Sequence, residues 1–259
     1  MKSLRIGLLI STVLAGLLPL GAHALSEFEA MDMAASQRML SQRMMKNYLL
    51  YGAGVREDKA NAERMESVEL FQKQLKELKD YAESHSLESD WLAVDDVWMA
   101  FQPEAMSAMT SREAAAELLP LSQQLLTASH ALAQAIEKES GHHVADIVNL
   151  SGRQSMLSQR IAKAYSAIYW GVDRDNQAAE LQQSAEEFLK TLDELKASPL
   201  NTAEIRKELD SVSVYWRFAS PGLDLSAGKE PVPANINTTM ESILKKMDSI
   251  TGMYTSVAD

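Results

Sequence analysis

Met39-Leu40-Ser41-Gln42-Arg43 returns as Met156-Leu157-Ser158-Gln159-Arg160, displaced by 117 residues. Working outward, the same displacement carries Lys46 and Tyr48 onto Lys163 and Tyr165. It also carries Phe71, Leu75, Leu78 and Lys79 onto Phe188, Leu192, Leu195 and Lys196. Trp98 and Pro103 then return as Trp216 and Pro221, displaced by 118. A short motif recurs by chance; three landmarks in order at a nearly constant offset mark a duplication. Each copy has an ordinary domain length of roughly 115 residues.

The composition is that of helices. Ala, Leu, Met, Gln, Glu and Lys are abundant, while the 259 residues hold only 11 Gly and 7 Pro. In the first copy a helix from Glu27 stops near Gly52 and Gly54. A second, Asp58 to Ser84, carries the Phe71, Leu75, Leu78 stripe at helical spacing. A third, Ser89 to Phe101, ends before Pro103, and a fourth begins with the capping box Thr110-x-x-Glu113 and kinks at Pro120. The second copy repeats the plan over His143 to Trp170, Asn176 to Ala197, Asn201 to Phe218 and Asn235 to Val257, with Asn201-x-x-Glu204 as a variant cap.

Amphipathic helices joined by short connections predict an all-α fold of two tandem antiparallel up-down four-helix bundles, one over 25–140 and one over 141–259. Only Gly141 separates the two, which invites one long rod. End-to-end stacking and side-by-side pairing both satisfy the pattern.

Before the first copy lie Lys2 and Arg5, an apolar run from Ile6 to Leu20, and Ala22-His23-Ala24. This order reads as a signal peptide over 1–24, cut after Ala24, and the run is short of the roughly 20 residues a membrane span needs. The expectation is an exported, soluble periplasmic protein beginning at Leu25. Removing Lys2 and Arg5 takes the net charge from −11 to −13, which repels phosphate backbones and argues against nucleic acid. The absence of cysteine excludes disulfides, thiolate metal sites and cysteine nucleophiles.

The first helix of each copy holds Ala35-Ser-Gln-Arg-Met-Leu-Ser-Gln-Arg43 and Gly152-Arg-Gln-Ser-Met-Leu-Ser-Gln-Arg160. Both resemble the G-R-Q-R-M-L-S-Q-R signature of the PilJ/NarX-type sensor domain, and Ile161-Ala-Lys-Ala-Tyr165 is similar to that family's pattern just past the signature. The domain is the periplasmic ligand-binding module of type IV pilus chemotaxis transducers and of nitrate/nitrite sensor kinases. The resemblance implies that the arginine before the motif methionine meets an anion at a helix–helix interface. That residue is Arg38 in copy one and Ser155 in copy two. The family's earlier arginine is Arg153 in copy two and Ser36 in copy one, and both copies keep the last, Arg43 and Arg160.

Helix geometry separates these residues. At about 100° per residue, Gln37, Leu40, Met44, Tyr48 and Tyr51 form a core side, Arg38 shares a flank with Ala34, Ser41 and Met45, and Arg43 lies about 140° from Arg38. One helix therefore cannot aim both at one ion, whereas Arg153 and Arg160, seven apart, share a stripe. Guanidinium is permanently charged and donates paired hydrogen bonds to a planar oxyanion. Alternatively these arginines pair with Asp32 or nearby glutamates, or reach solvent.

The 14 methionines invite a copper(I) reading, but methionine is a helix former and core filler. Glu139-x-x-His142 with His143 mimics half of a di-iron motif and lacks the second half, so the pair reads as solvated; His85 and His130 show no partner in the sequence. Trp98 and Trp216 read as core anchors. No nucleophile elbow, phosphate loop or zinc motif is present, and neither enzyme activity nor a cofactor nor a metal is expected. The expected function is a free-standing sensor for a small anion of the nitrate/nitrite type, signalling through a membrane receptor or transporter component and compatible with a homodimer. The competing expectation is a ligand-free helical adaptor that docks such a partner.

Overall fold

The protein is described here by a computed structural model over residues 25–140, 143–225 and 230–258. The expected signal peptide and the side chains of the His142-His143 pair lie outside the described residues. Eight helices are described: α1 (Glu27–Gly52), α2 (Glu57–Ser84), α3 (Glu88–Ala105), α4 (Arg112–Ser140), α5 (His143–Trp170), α6 (Arg174–Ala197), α7 (Ala203–Leu223) and α8 (Pro233–Ala258). Among the described residues there is no strand. Helix α1 packs on α2 and α4, and α3 closes the ring; α5 to α8 repeat the arrangement.

Local signals explain most boundaries. Ser26 and Glu29 form a capping box that starts α1. Gly54 (φ 72°) and Gly171 (φ 81°) end the first helix of each copy, and Arg56 (φ 48°) and Asp173 (φ 45°) make matching left-handed steps into the next. Three expectations move. Pro103 and Pro221 lie inside the last turns of α3 and α7, since a proline there forfeits a single backbone bond and Met106 N still reaches Gln102 O at 3.0 Å. The α4 cap is Ser111, which accepts from Ala114 N at 3.1 Å. The α7 cap is Thr202; Asn201 instead donates to Leu195 O at 2.8 Å and accepts from Tyr254 Oη.

The two bundles lie side by side. The most extensive helix contact in the molecule is between α1 and α5. They run parallel: Lys46 Nζ donates to Gln159 Oε1 at 2.9 Å, and a Cβ on Gly152 would sit 3.0 Å from that of Ala35. Helix α4 covers one cleft of the α1–α5 pair and α8 the other. As a result α1 is buried well beyond a single stripe, Gln37, Ser41, Gln42, Lys46 and Asn47 included, while Glu29 and Asp32 near its start stay exposed. Within each bundle an aromatic pair anchors the third helix: Trp98 stacks on Phe71 at 4.4 Å and Trp216 on Phe188 at 4.5 Å.

Candidate functional site

The repeated motif supplies the small residues that let α1 and α5 approach. Ala35 meets Gly152 across the seam, and the Ser41 and Ser158 hydroxyls fold back onto Arg38 O (2.8 Å) and Ser155 O (2.7 Å). Their donors are thereby consumed within their own helices.

Arg38 is 1% exposed in this seam. Its Nη1 lies 3.3 Å from His130 Nδ1 on α4, its Nη2 donates to Asn149 O on α5 at 3.4 Å, and its Nε has no partner. Among the described residues, no carboxylate is hydrogen-bonded to it. Burial lowers its pKa to about 10, with Glu137 opposing and Arg153 adding to the shift. It stays charged at neutral pH, at the desolvation cost a buried cation carries. Burial and the two arginines also lower the pKa of His130. Behind them, Asn149 Nδ2 donates to Glu137, whose carboxyl is raised by burial and by Asp146.

The other arginines are ion-paired. Arg153, half exposed, meets Glu187 at 3.4 Å while sitting near Arg38. Arg160 Nε donates to Glu180 Oε1 at 2.8 Å, and its Nη1 is 4.0 Å from Glu187, so the shared stripe of Arg153 and Arg160 ends on one carboxylate. Arg43 turns the other way, to Glu66 (3.3 Å), Glu63 (4.0 Å) and Glu241 (3.2 Å). Arg38 and Arg153 are thus brought together across the seam, whereas Arg43 and Arg160 are not. His130 and Asn149 had no signal in the sequence as site residues. Lys46 did, as half of a repeated landmark: it is fully buried and ion-paired with Glu241 across the seam.

The pseudo-two-fold relation makes the opposite cleft chemically different. There Ser155 stands for Arg38, Ser36 for Arg153, Asp248 for His130 and Asp32 for Asn149. Ser155 Oγ donates to Asp248 Oδ1 at 3.4 Å, and Asp32 and Asp248 both line the cavity of about 210 Å³. One cleft is cationic and the other acidic.

The family model for the type IV pili methyl-accepting chemotaxis transducer N-terminal domain, PilJ, matches residues 22–125 and again 138–239. The chain belongs to the PilJ family. This family is a sensor-type helical module of chemotaxis transducers rather than an enzyme family, and the module is typically extracellular or periplasmic. The tandem PilJ units thus match the repeat read from the motif. No curated protein and no solved structure matches the chain. Among the described residues, no helix is long and apolar enough to cross a membrane, and no group of His, Asp and Glu is arranged to hold a metal.

Proposed function

We propose that this tandem PilJ protein is an exported periplasmic sensor, divided at about residue 140 into two units, that binds a small planar oxyanion of the nitrate/nitrite type between α1 and α5. The observation that carries the reading is the guanidinium of Arg38, sealed in the seam with its Nε unpartnered. An oxyanion there would accept from Nε and an Nη, compensate the cost of burying the cation, and draw on His130 and Arg153 at the rim. Because Arg38 belongs to α1 while its acceptor Asn149 O belongs to α5, a ligand on Arg38 favours one α1–α5 arrangement over another. A membrane receptor or transporter component would read that arrangement.

Thermal unfolding of the chain from Leu25 to Asp259 against nitrate, nitrite, chloride and sulfate at matched ionic strength tests the reading. A ligand that binds the folded state raises the midpoint with its concentration. A selective rise with nitrate or nitrite that Arg38→Ala abolishes is the expected result. Absence of any selective rise in a folded sample would reject the anion. The adaptor reading would then gain from the exposed Met99 on α3 and Phe218 on α7, apolar groups free to meet a partner.

A further inference from the structure

The duplication provides an internal comparison at a second place, away from Arg38. On the first unit, Lys46 and Arg43 of α1 share one carboxylate, Glu241 of α8. Lys46 Nζ is bonded to Glu241 Oε1, and Arg43 reaches the same group with Nε at 3.5 Å and Nη2 at 3.2 Å. Glu241 is 6% exposed, so this is an enclosed carboxylate site that the chain fills with its own side chain.

The displacement of 117 converts Lys46 and Arg43 into Lys163 and Arg160 on α5. In the fourth helices the displacement is 118: the buried residues Ile236, Met240, Met247, Ile250 and Tyr254 of α8 correspond to the buried Leu118, Ser122, Ser129, Leu132 and Ile136 of α4. On that register Glu241 corresponds to Gln123, which is exposed. Where the first unit has a carboxylate, the second has a cavity of about 360 Å³, with Gln123, Arg160, Lys163, Glu180, Asn176 and Gln183 on its wall.

The pairing of Lys163 also departs from the first unit. Lys46 bonds both Glu241 and Gln159 Oε1, but Lys163 turns to Glu180 Oε1 at 2.9 Å. Gln42 Oε1, the counterpart of Gln159 Oε1, is left buried without a partner. Glu180 alone bridges Arg160 and Lys163, as Glu241 does on the other side, while Glu63, the counterpart of Glu180, adds a further carboxylate near Arg43. The second site thus keeps both cations and lacks the carboxylate that α8 supplies to the first, with Glu180, Glu187 and Asp173 still nearby.

We infer that this cavity between α4, α5 and α6 binds a small carboxylate ligand, whose carboxylate takes the place that Glu241 fills in the other unit. The volume exceeds a glutamate side chain, and the amides of Gln123, Asn176 and Gln183 suit polar groups on the rest of the ligand. The site is separate from the Arg38 seam and does not depend on it.

The test is calorimetric titration of the chain from Leu25 to Asp259 with acetate and succinate, repeated on Arg38→Ala and Gln123→Glu. Gln123→Glu copies the first unit by supplying the carboxylate from α4 itself. The expected result is saturable binding of at least one acid, unchanged in Arg38→Ala and weakened at least about tenfold in Gln123→Glu. Gln123→Glu should also raise the thermal midpoint without ligand, the mark of a filled site. Failure of both acids to bind the folded wild-type chain overturns the inference, as does binding that Gln123→Glu leaves intact. If Arg38→Ala loses the carboxylate response, the response belongs to the seam and the inference also fails.

Discussion

A buried ammonium group needs a counter-charge that accompanies it out of water, and Lys46 takes one from the other unit. Glu241 is held down to about 2 against its ordinary 4.5: burial pushes the carboxyl up, but Lys46 and then Arg43 pull it further down. A carboxylate whose folded pKa is depressed stabilises the fold above its unfolded pKa and loses that contribution as pH falls. Stability from this pair should be intact above about pH 4.5 and fade towards pH 2. Glu241→Gln leaves the buried Lys46 without its counter-charge, while Arg43 keeps Glu66 and Glu63, and should cost about 3–5 kcal/mol in urea unfolding at pH 7, with a flatter acid limb. The pKa of His130 is lowered as well, by burial first and then by Arg38 and Arg153. Its lowered pKa keeps it neutral near pH 7, and an anion on Arg38 would favour its protonation against Arg38 and Arg153, with Glu137 behind. Nitrate affinity should therefore rise as pH drops below about 6.5, and His130→Gln should flatten that dependence in titrations at several pH values. Arg38 was legible because its motif is local. His130 was not, since its partner lies 92 residues away and nothing in a helix register records that choice.

At the scale of the helix, the sequence marks existence and order well and ends less well. Adjacent hydroxyl residues Thr110 and Ser111 offer equivalent caps, and only packing chooses between them. The core stripe of α1 holds for Gln37, Leu40, Met44 and Tyr48 yet is incomplete, because a second bundle covers the remaining faces. Two glycines separate packing from propensity. A side chain on Gly52 would overlap the Trp170 ring, the contact that closes the C-terminal end of the α1–α5 pair. Gly252 in α8 has nothing within 4 Å of where its Cβ would stand. Gly52→Ala should destabilise by about 1–3 kcal/mol, and Gly252→Ala should stabilise by up to about 1 kcal/mol, both read from denaturant midpoints.

For the whole molecule, the duplication is plain in the sequence, while the relative placement of the copies is not. The rod suggested by Gly141 gives way to parallel packing of α1 on α5, where Gly152 and Ala35 allow a close approach and Glu241 of the second unit supplies the counter-charge for Lys46. A first helix buried well beyond one stripe in each copy is the signal that favours the side-by-side arrangement. Residues 25–140 expressed alone would expose the α1 seam. This fragment should self-associate or lose cooperative unfolding, in contrast to the full chain, as size-exclusion chromatography and thermal melting would show.

Joining the two units in one chain has a genetic consequence. Were identical chains to pair through α1, every substitution would be written twice, and any arginine in one cleft would reappear in the other. A tandem gene is free of that constraint: Arg38 can face His130 while Ser155 faces Asp248, each altered by its own codon. Assembly of the pair also becomes independent of protein concentration, so even a scarce copy of the chain carries both clefts already formed.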